Sequence, residues 1–494
     1  MQSVLIAHSY FLRFDQKQFD RAKPYPPLAT LQVAARLSRQ GRTVTVFDAM
    51  LAESTAEFDE QLARERPQLV LFYEDNYNYL SKMCLGKMRE AACQMIESAR
   101  RAGARVLSAG SDASDSPEAY LLAGADAVVL GEGLGTLSEL LERLDAQPQV
   151  DVAALVNGVS GVSALIDGNL RTQPQAPEKS GKVVMLPGSH IQPDETAAWE
   201  LIDIERYRAM WRQAHGRFSL NMAASKGCPF HCNWCAKPIW GNRYIQRSAS
   251  DVAAEMLQLK TNFLPDHVWF ADDIFGFRAD WVQSFAQVLQ MGGGGVPFTI
   301  QSRADLIHPA MAQALKAAGC QEVWLGAESG SQKILDAMDK GTRVEEIHEA
   351  RALLKAQGIR VGFFIQIGYL GEELDDLLAT RQLIKSAKPD DIGVSVSYPL
   401  PGTRFHELVK VQLGGKTHWE DSGDLAMMFH GTYSSDFYRT VRDLLHREVE
   451  LNELAHTAAA SQRGRLQERW MALIAEERRF RAPSADPAAL AAGL

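Results

Sequence analysis

Apolar positions in the first 145 residues follow two alternating rhythms. Short runs rich in β-branched or large apolar side chains fall at Val4–Ala7, Val44–Phe47, Leu69–Phe72, Val106–Leu107 and Ala127–Leu130. Between them lie stretches of helical period: Leu28–Arg39, Ala56–Arg64, Leu85–Arg101, Pro117–Ala123 and Thr136–Leu144. A short apolar run with helices on either side reads as a strand buried on both faces. Strict alternation predicts a parallel, doubly wound sheet with right-handed crossovers. Such sheets take ligands beyond the carboxyl ends of their strands. Two small polar loops fall there, Gly110-Ser111 and Gly131-Glu132-Gly133. No GxGxxG follows the first run, so the dinucleotide fingerprint is absent.

Residues 146–212 lose the rhythm. Prolines at 148, 174, 177, 187 and 193 punctuate a linker, with one short hairpin turning at Asp167-Gly168-Asn169. From 213 to 405 the βα pattern returns. Strands are expected at Phe218–Met222, His267–Phe270, Phe298–Gln301, Glu322–Leu325, Val361–Ile367 and Gly393–Ser397, with helical patterns between them. Six βα units in series form either an open doubly wound sheet or a curved partial barrel, and periodicity does not choose. Residues 406–494 are helical in pattern, with charged amphipathic stretches at Val441–Ala455 and Arg463–Arg479.

Composition adds mainly exclusions. The 494 residues are 46% hydrophobic and 23% charged, ordinary values for a globular protein. With 61 acidic and 52 basic side chains the net charge is −9, which argues against nucleic-acid binding by bulk charge. No apolar stretch reaches bilayer length, and Met1–Tyr10 lacks the basic flank of a signal peptide, so a cytoplasmic protein is expected. Six cysteines are too few for a disulfide framework, yet Cys228, Cys232 and Cys235 fall within eight residues. Cys84, Cys93 and Cys320 read as packing thiols.

The clustered cysteines have the spacing C-x3-C-x2-C, just after the first strand of the second βα array. Three thiolates on one loop can each take one iron of a [4Fe–4S] cluster, leaving the fourth iron open. A zinc ion would want a fourth ligand, and His231, adjacent to Cys232, is poorly placed to supply it.

This motif, Cys228-Pro229-Phe230-His231-Cys232-Asn233-Trp234-Cys235, resembles that of the radical S-adenosylmethionine (SAM) superfamily. The resemblance implies that Cys228, Cys232 and Cys235 hold the cluster, whose unique iron chelates SAM and cleaves it reductively to a 5′-deoxyadenosyl radical. It also implies a partial (β/α)6 barrel, with SAM touched by Trp234, Asp272, Arg303, Glu328 and Gly368. These positions lie in motifs at successive strand ends: Asp272-Asp273-Ile274-Phe275, Ser302-Arg303, Glu328-Ser329-Gly330 and Gly368-Tyr369-Leu370-Gly371-Glu372.

The segment before the array resembles the cobalamin-binding members of the superfamily. Pro26-Pro27-Leu28 is similar to their first-helix start, and Gly131-Glu132-Gly133 to their last-strand signature. This implies an N-terminal Rossmann-like domain (1–145) binding cobalamin through Gly110, Ser111, Gly131, Glu132 and Gly133. No Asp-x-His-x-x-Gly occurs, so the resemblance marks no histidine as lower axial ligand. The run from Trp419 to Leu425, with Phe437-Tyr438-Arg439, is similar to the subgroup of the anaerobic Mg-protoporphyrin monomethyl ester cyclase and the class B methyltransferases. The implied activity is methylation of an unactivated carbon of a small-molecule substrate through methylcobalamin, with electrons from a flavodoxin or ferredoxin. An oxidative cyclase using the same parts is the alternative, and a non-catalytic scaffold or binding protein is a second.

Overall fold

A computed structural model of the protein describes residues 3–78, 86–174, 196–235, 244–413, 425–453 and 456–482, with side chains omitted for 453–460. The described residues form two compact units. The first runs to Pro229 and resumes for the stretch ending at Asp272; the second takes up Phe230 onward in the intervening loop and the chain from Asp273.

The first unit contains a seven-stranded sheet. Its strands are β1 (Ser3–Ala7), β2 (Thr43–Phe47), β3 (Leu69–Tyr73), β4 (Arg105–Ala109), β5 (Ala127–Val129), β6 (Val162–Ile166) and β7 (Asn169–Gln173), in the order β2-β1-β3-β4-β5-β6-β7. The first five are parallel. This 2-1-3-4-5 order places the topological switch point between β1 and β3. All five residues of β3 are buried, as a central strand of Leu, Val, Leu, Phe and Tyr demands. The hairpin expected within the connecting stretch does not stand apart from the sheet. β6 pairs antiparallel with β5, and β7 with β6, so the hairpin extends the sheet at one edge. Its turn uses Asp167 and Gly168 at φ of 51° and 74°, the left-handed pair that a tight two-residue hairpin requires.

Four more strands follow in this unit: β8 (Ser219–Met222), β9 (Ser225–Gly227), β10 (Tyr244–Gln246) and β11 (His267–Phe270). β9 and β10 form a two-stranded antiparallel ribbon. β8 and β11 are parallel neighbours.

The second unit holds β12 (Phe298–Ser302), β13 (Cys320–Glu328), β14 (Arg360–Ile367) and β15 (Asp391–Val396), paired in parallel in that sequence. Helices follow each strand, among them Pro309–Ala318, Val344–Ala356 and Leu374–Ala387, and two long ones, Ser435–Glu453 and His456–Phe480, lie at the C-terminal end. Within this unit the sheet order runs β15-β14-β13-β12. No described helix is long and apolar enough to cross a membrane. Cys320 opens β13 and is buried, and burial pushes its thiol well up. Cys93 is half-buried, with its thiol also raised by burial. Both behave as packing thiols. Cys84 and the run Trp419–Asp424 lie outside the described residues.

Candidate active site

The cysteine loop begins where the ribbon ends. Gly227, the last residue of β9, pairs with Tyr244 of β10, so the two ends of the loop are held side by side. The approach to β9 is clamped by Asp272, just beyond β11. Its carboxylate is buried and accepts the Ala224 N–H on both oxygens (3.1 and 3.0 Å) and the Ser225 hydroxyl. Asp272 therefore shapes the chain leading to Cys228. Lys226, nearly buried, donates to Glu132 Oε1 at 2.8 Å.

Within the second unit, Asn233 anchors the loop. Its backbone N–H donates to the Met338 carbonyl, and its side-chain amide donates to the Ala337 carbonyl (2.8 Å) and Asp339 Oδ2 (3.0 Å). The Tyr369 hydroxyl donates to Asn233 Oδ1 at 2.8 Å, and the Asn233 carbonyl accepts the Phe405 N–H. Sequence reasoning passed over Asn233; an amide between two motif cysteines was its one available signal. Trp234 packs beside a cluster containing Ile334, Met338, Tyr369 and Phe405, and its indole N–H is buried without a partner.

Cys228 is buried; Cys232 and Cys235 are half-buried. Arg303, beyond β12, directs Nη1 at Cys232 Sγ across 3.6 Å. The rest of its guanidinium is fixed. Nε and Nη2 fork onto Asp305 at 2.9 Å each, Nη2 also reaches the Lys340 carbonyl (2.7 Å) and Thr342 Oγ1 (3.0 Å), and the Phe230 ring centroid lies 3.7 Å from Cζ.

Glu328 ends β13 with φ of 58°, and its carboxylate accepts a hydrogen bond from Lys340 Nζ at 2.7 Å; both side chains are 6% exposed. Burial disfavours the Lys340 ammonium, but Glu328 and Cys232 outweigh it and hold its pKa above the ordinary value. A Cβ on Gly326 would stand 2.7 Å from Nζ and 2.8 Å from Glu328 Oε1, so the ion pair needs glycine there. Lys340 is a second residue that the sequence did not single out. Gly368, at φ of 77° after β14, donates its N–H to Glu372 Oε2 at 2.5 Å and lies against Met427 and Tyr438.

At the carboxyl edge of the first sheet, the two glycine loops come together. Ser114 Oγ donates to the Gly110 carbonyl (2.7 Å) and accepts the Gly131 N–H (2.9 Å), while Ser111 opens the short helix Ser111–Asp115. The Glu132 carbonyl accepts the Tyr73 hydroxyl at 2.9 Å. Gly133, at φ of 55°, has no room for a side chain: a Cβ would lie 2.0 Å from Val129 Cγ1. Buried polar atoms without partners occur at three strand ends here, His8 Nδ1 beyond β1, Asn76 Nδ2 beyond β3 and Ser108 Oγ in β4. Glu74 and Asp75, buried between them, have carboxyls pushed up by desolvation.

Residues 222–384 match the family model described as the Radical SAM superfamily. The chain carries a radical SAM domain. A curated relative, an uncharacterized methyltransferase of Pyrococcus horikoshii, is 27% identical over 57% of this chain and 57% of its own length. The anaerobic magnesium-protoporphyrin IX monomethyl ester cyclase of Rubrivivax gelatinosus is 26% identical over 59% of this chain and 49% of its own. The chain thus spans about half the length of these curated relatives. Among solved structures, the radical SAM methyltransferase TsrM of Kitasatospora setae, with cobalamin and a [4Fe–4S] cluster bound, superposes with a TM-score of 0.65 at 18% identity, covering 85% of this chain and 80% of that one. This likeness is one of fold, and it decides between the open doubly wound sheet and the partial barrel in favour of the barrel.

The donor set suits the cluster that a radical SAM domain uses. Among the described residues no three His, Cys, Asp or Glu side chains converge as ligands for one metal ion. A cubane asks for something different, one thiolate at each of three irons. The Arg303 guanidinium places a cationic N–H donor beside the Cys232 sulfur. At the first sheet's edge, the unpartnered atoms of His8, Asn76 and Ser108 are groups that a polar ligand lying across the strand ends would satisfy.

Proposed function

We propose that the protein is a cobalamin-dependent radical SAM methyltransferase that methylates an unactivated carbon of a small-molecule substrate. The observation that carries this reading is the three-cysteine loop of the radical SAM domain, with the Arg303 guanidinium turned onto Cys232. On this reading residues 1–145 hold cobalamin, 146–212 connect, 213–405 carry the SAM chemistry and 406–494 cap it. The bound cluster supplies one electron to break the sulfonium C–S bond of SAM, and cobalamin supplies the methyl carrier.

The chain's own residues do the rest. Cys228, Cys232 and Cys235 ligate iron. Asn233 and Asp272 fix the two arms of the loop that presents them. Trp234 and the Gly368 backbone offer a flat apolar surface and a close approach suited to a nucleoside. Glu328 reaches a ribose hydroxyl while keeping its ion pair with Lys340. Gly110, Ser111, Gly131, Glu132 and Gly133, with His8 and Asn76, form the polar rim for the corrin. An electron donor of the flavodoxin or ferredoxin class and a reducing, cytoplasmic setting complete the proposal.

A second reading, oxidative cyclisation without methyl transfer, has support in the likeness to the Rubrivivax ester cyclase. Anaerobic reconstitution with iron and sulfide, with and without cobalamin, followed by product analysis, separates the two. Methyl transfer yields 5′-deoxyadenosine and S-adenosylhomocysteine together; cyclisation yields the first alone. Absence of 5′-deoxyadenosine under reduction overturns both. Cys→Ala at 228, 232 or 235 should abolish the cluster's visible absorbance and its iron content.

A further inference from the structure

Arg303 is a motif residue whose surroundings conflict with its sequence-based role. A guanidinium that receives a SAM carboxylate presents a paired N–H edge to it. The edge of Arg303 formed by Nε and Nη2 is already occupied by the two Asp305 oxygens. Nη2 is further bound by the Lys340 carbonyl and Thr342 Oγ1, and the face is covered by Phe230. The side chain is 5% exposed. What it offers outward from this lock is Nη1, and Nη1 meets Cys232 Sγ at 3.6 Å. Lys340, whose carbonyl helps fix Arg303, also has its ammonium within electrostatic reach of Cys232.

We propose that Arg303 is a positioning residue of the cluster: a locked hydrogen-bond donor to the Cys232 sulfur that sets the reduction potential of the iron–sulfur centre, in place of a SAM-carboxylate contact. The proposal rests on the reading that Cys232 is a cluster ligand. One-electron reduction adds one negative charge to the cluster and its thiolates. A cationic N–H on a ligand sulfur stabilises that added charge, and so raises the potential. The rigid mounting matters because a guanidinium free to rotate would pay the cost of ordering at each reduction.

The test is a dithionite titration of the reconstituted full-length protein, followed by the EPR signal of the reduced cluster, with SAM affinity measured in parallel by equilibrium binding. In Arg303→Gln the midpoint should move to more negative potential while iron content and SAM affinity stay close to wild type. Arg303→Lys, which keeps the charge but loses the planar fork, should shift the midpoint in the same direction and by less. It also carries the test if the Gln variant does not fold. An unshifted midpoint in the folded variants overturns the proposal. A loss of SAM affinity with an unshifted midpoint restores the carboxylate contact. Failure of the wild-type protein to assemble any cluster overturns the underlying assignment of Cys232 as well, and is distinguishable because no EPR signal appears in any sample.

Discussion

Glu372 is fully buried beyond β14. Burial raises its carboxyl to about 8, against a smaller opposing effect of the Gly368 N–H. Its Oε1 and the neighbouring Tyr438 hydroxyl both lack partners. The folded state thus holds this proton more tightly than the unfolded chain does between about pH 4.5 and 8. The stability it contributes is complete below the unfolded value and is lost as pH rises through the folded one. Glu372→Gln, which imitates the neutral acid, should flatten the fall of the melting temperature between about pH 4.5 and 8 and be more stable than wild type above that window by on the order of several kcal/mol. Equal slopes in the two proteins between about pH 4.5 and 8 would sink the idea. At this scale the sequence is only partly legible. The three cysteines stand out because spacing alone marks them. Asn233 and Lys340 do not, because their importance lies in what they touch, Ala337 and Asp339 for one and Glu328 for the other, at separations that no local pattern encodes.

Among elements, the turn after β13 shows how tightly a barrel unit closes. Gly330 N–H donates to Thr380 Oγ1, and Ser331 Oγ donates to Asp376, both on the helix Leu374–Ala387. A Cβ on Gly330 would sit 2.3 Å from the Ala379 carbonyl oxygen, a backbone atom that cannot swing aside. Gly330→Ala should therefore cost about 1–3 kcal/mol, read as a lower urea midpoint at unchanged slope. Long elements of clear period were legible: Pro309–Ala318 is helical over the expected residues, and His267–Phe270 is a strand over the expected residues. The ribbon of β9 and β10 was not. Each strand has three residues, too few to establish a period of two, and their partners lie far apart in sequence.

For the whole molecule, the parallel sheets and the C-terminal helices were readable because alternating short apolar runs and amphipathic stretches leave few other ways to bury both faces. The choice between open sheet and partial barrel was not, because both satisfy the same periodicity. The unpartnered polar atoms of His8, Asn76 and Ser108 give this scale its own prediction. A ligand that binds only the folded state stabilises it by mass action, by about 2.7 kcal/mol at a hundredfold excess over its dissociation constant. Hydroxocobalamin, added without SAM, should raise the melting temperature in a concentration-dependent way. A melting curve indifferent to it removes cobalamin from the proposed function.

The pairing of Gly227 with Tyr244 also bears on how the protein matures. Backbone pairing of the ribbon joins the ends of the cysteine loop, so the polypeptide's own hydrogen bonds offset the entropy of closing it. Iron delivery is then an operation on a finished scaffold, unlike the small zinc modules that stay unfolded until charged. Chain made under iron starvation should melt cooperatively and accept iron and sulfide afterwards with its far-ultraviolet circular dichroism unchanged.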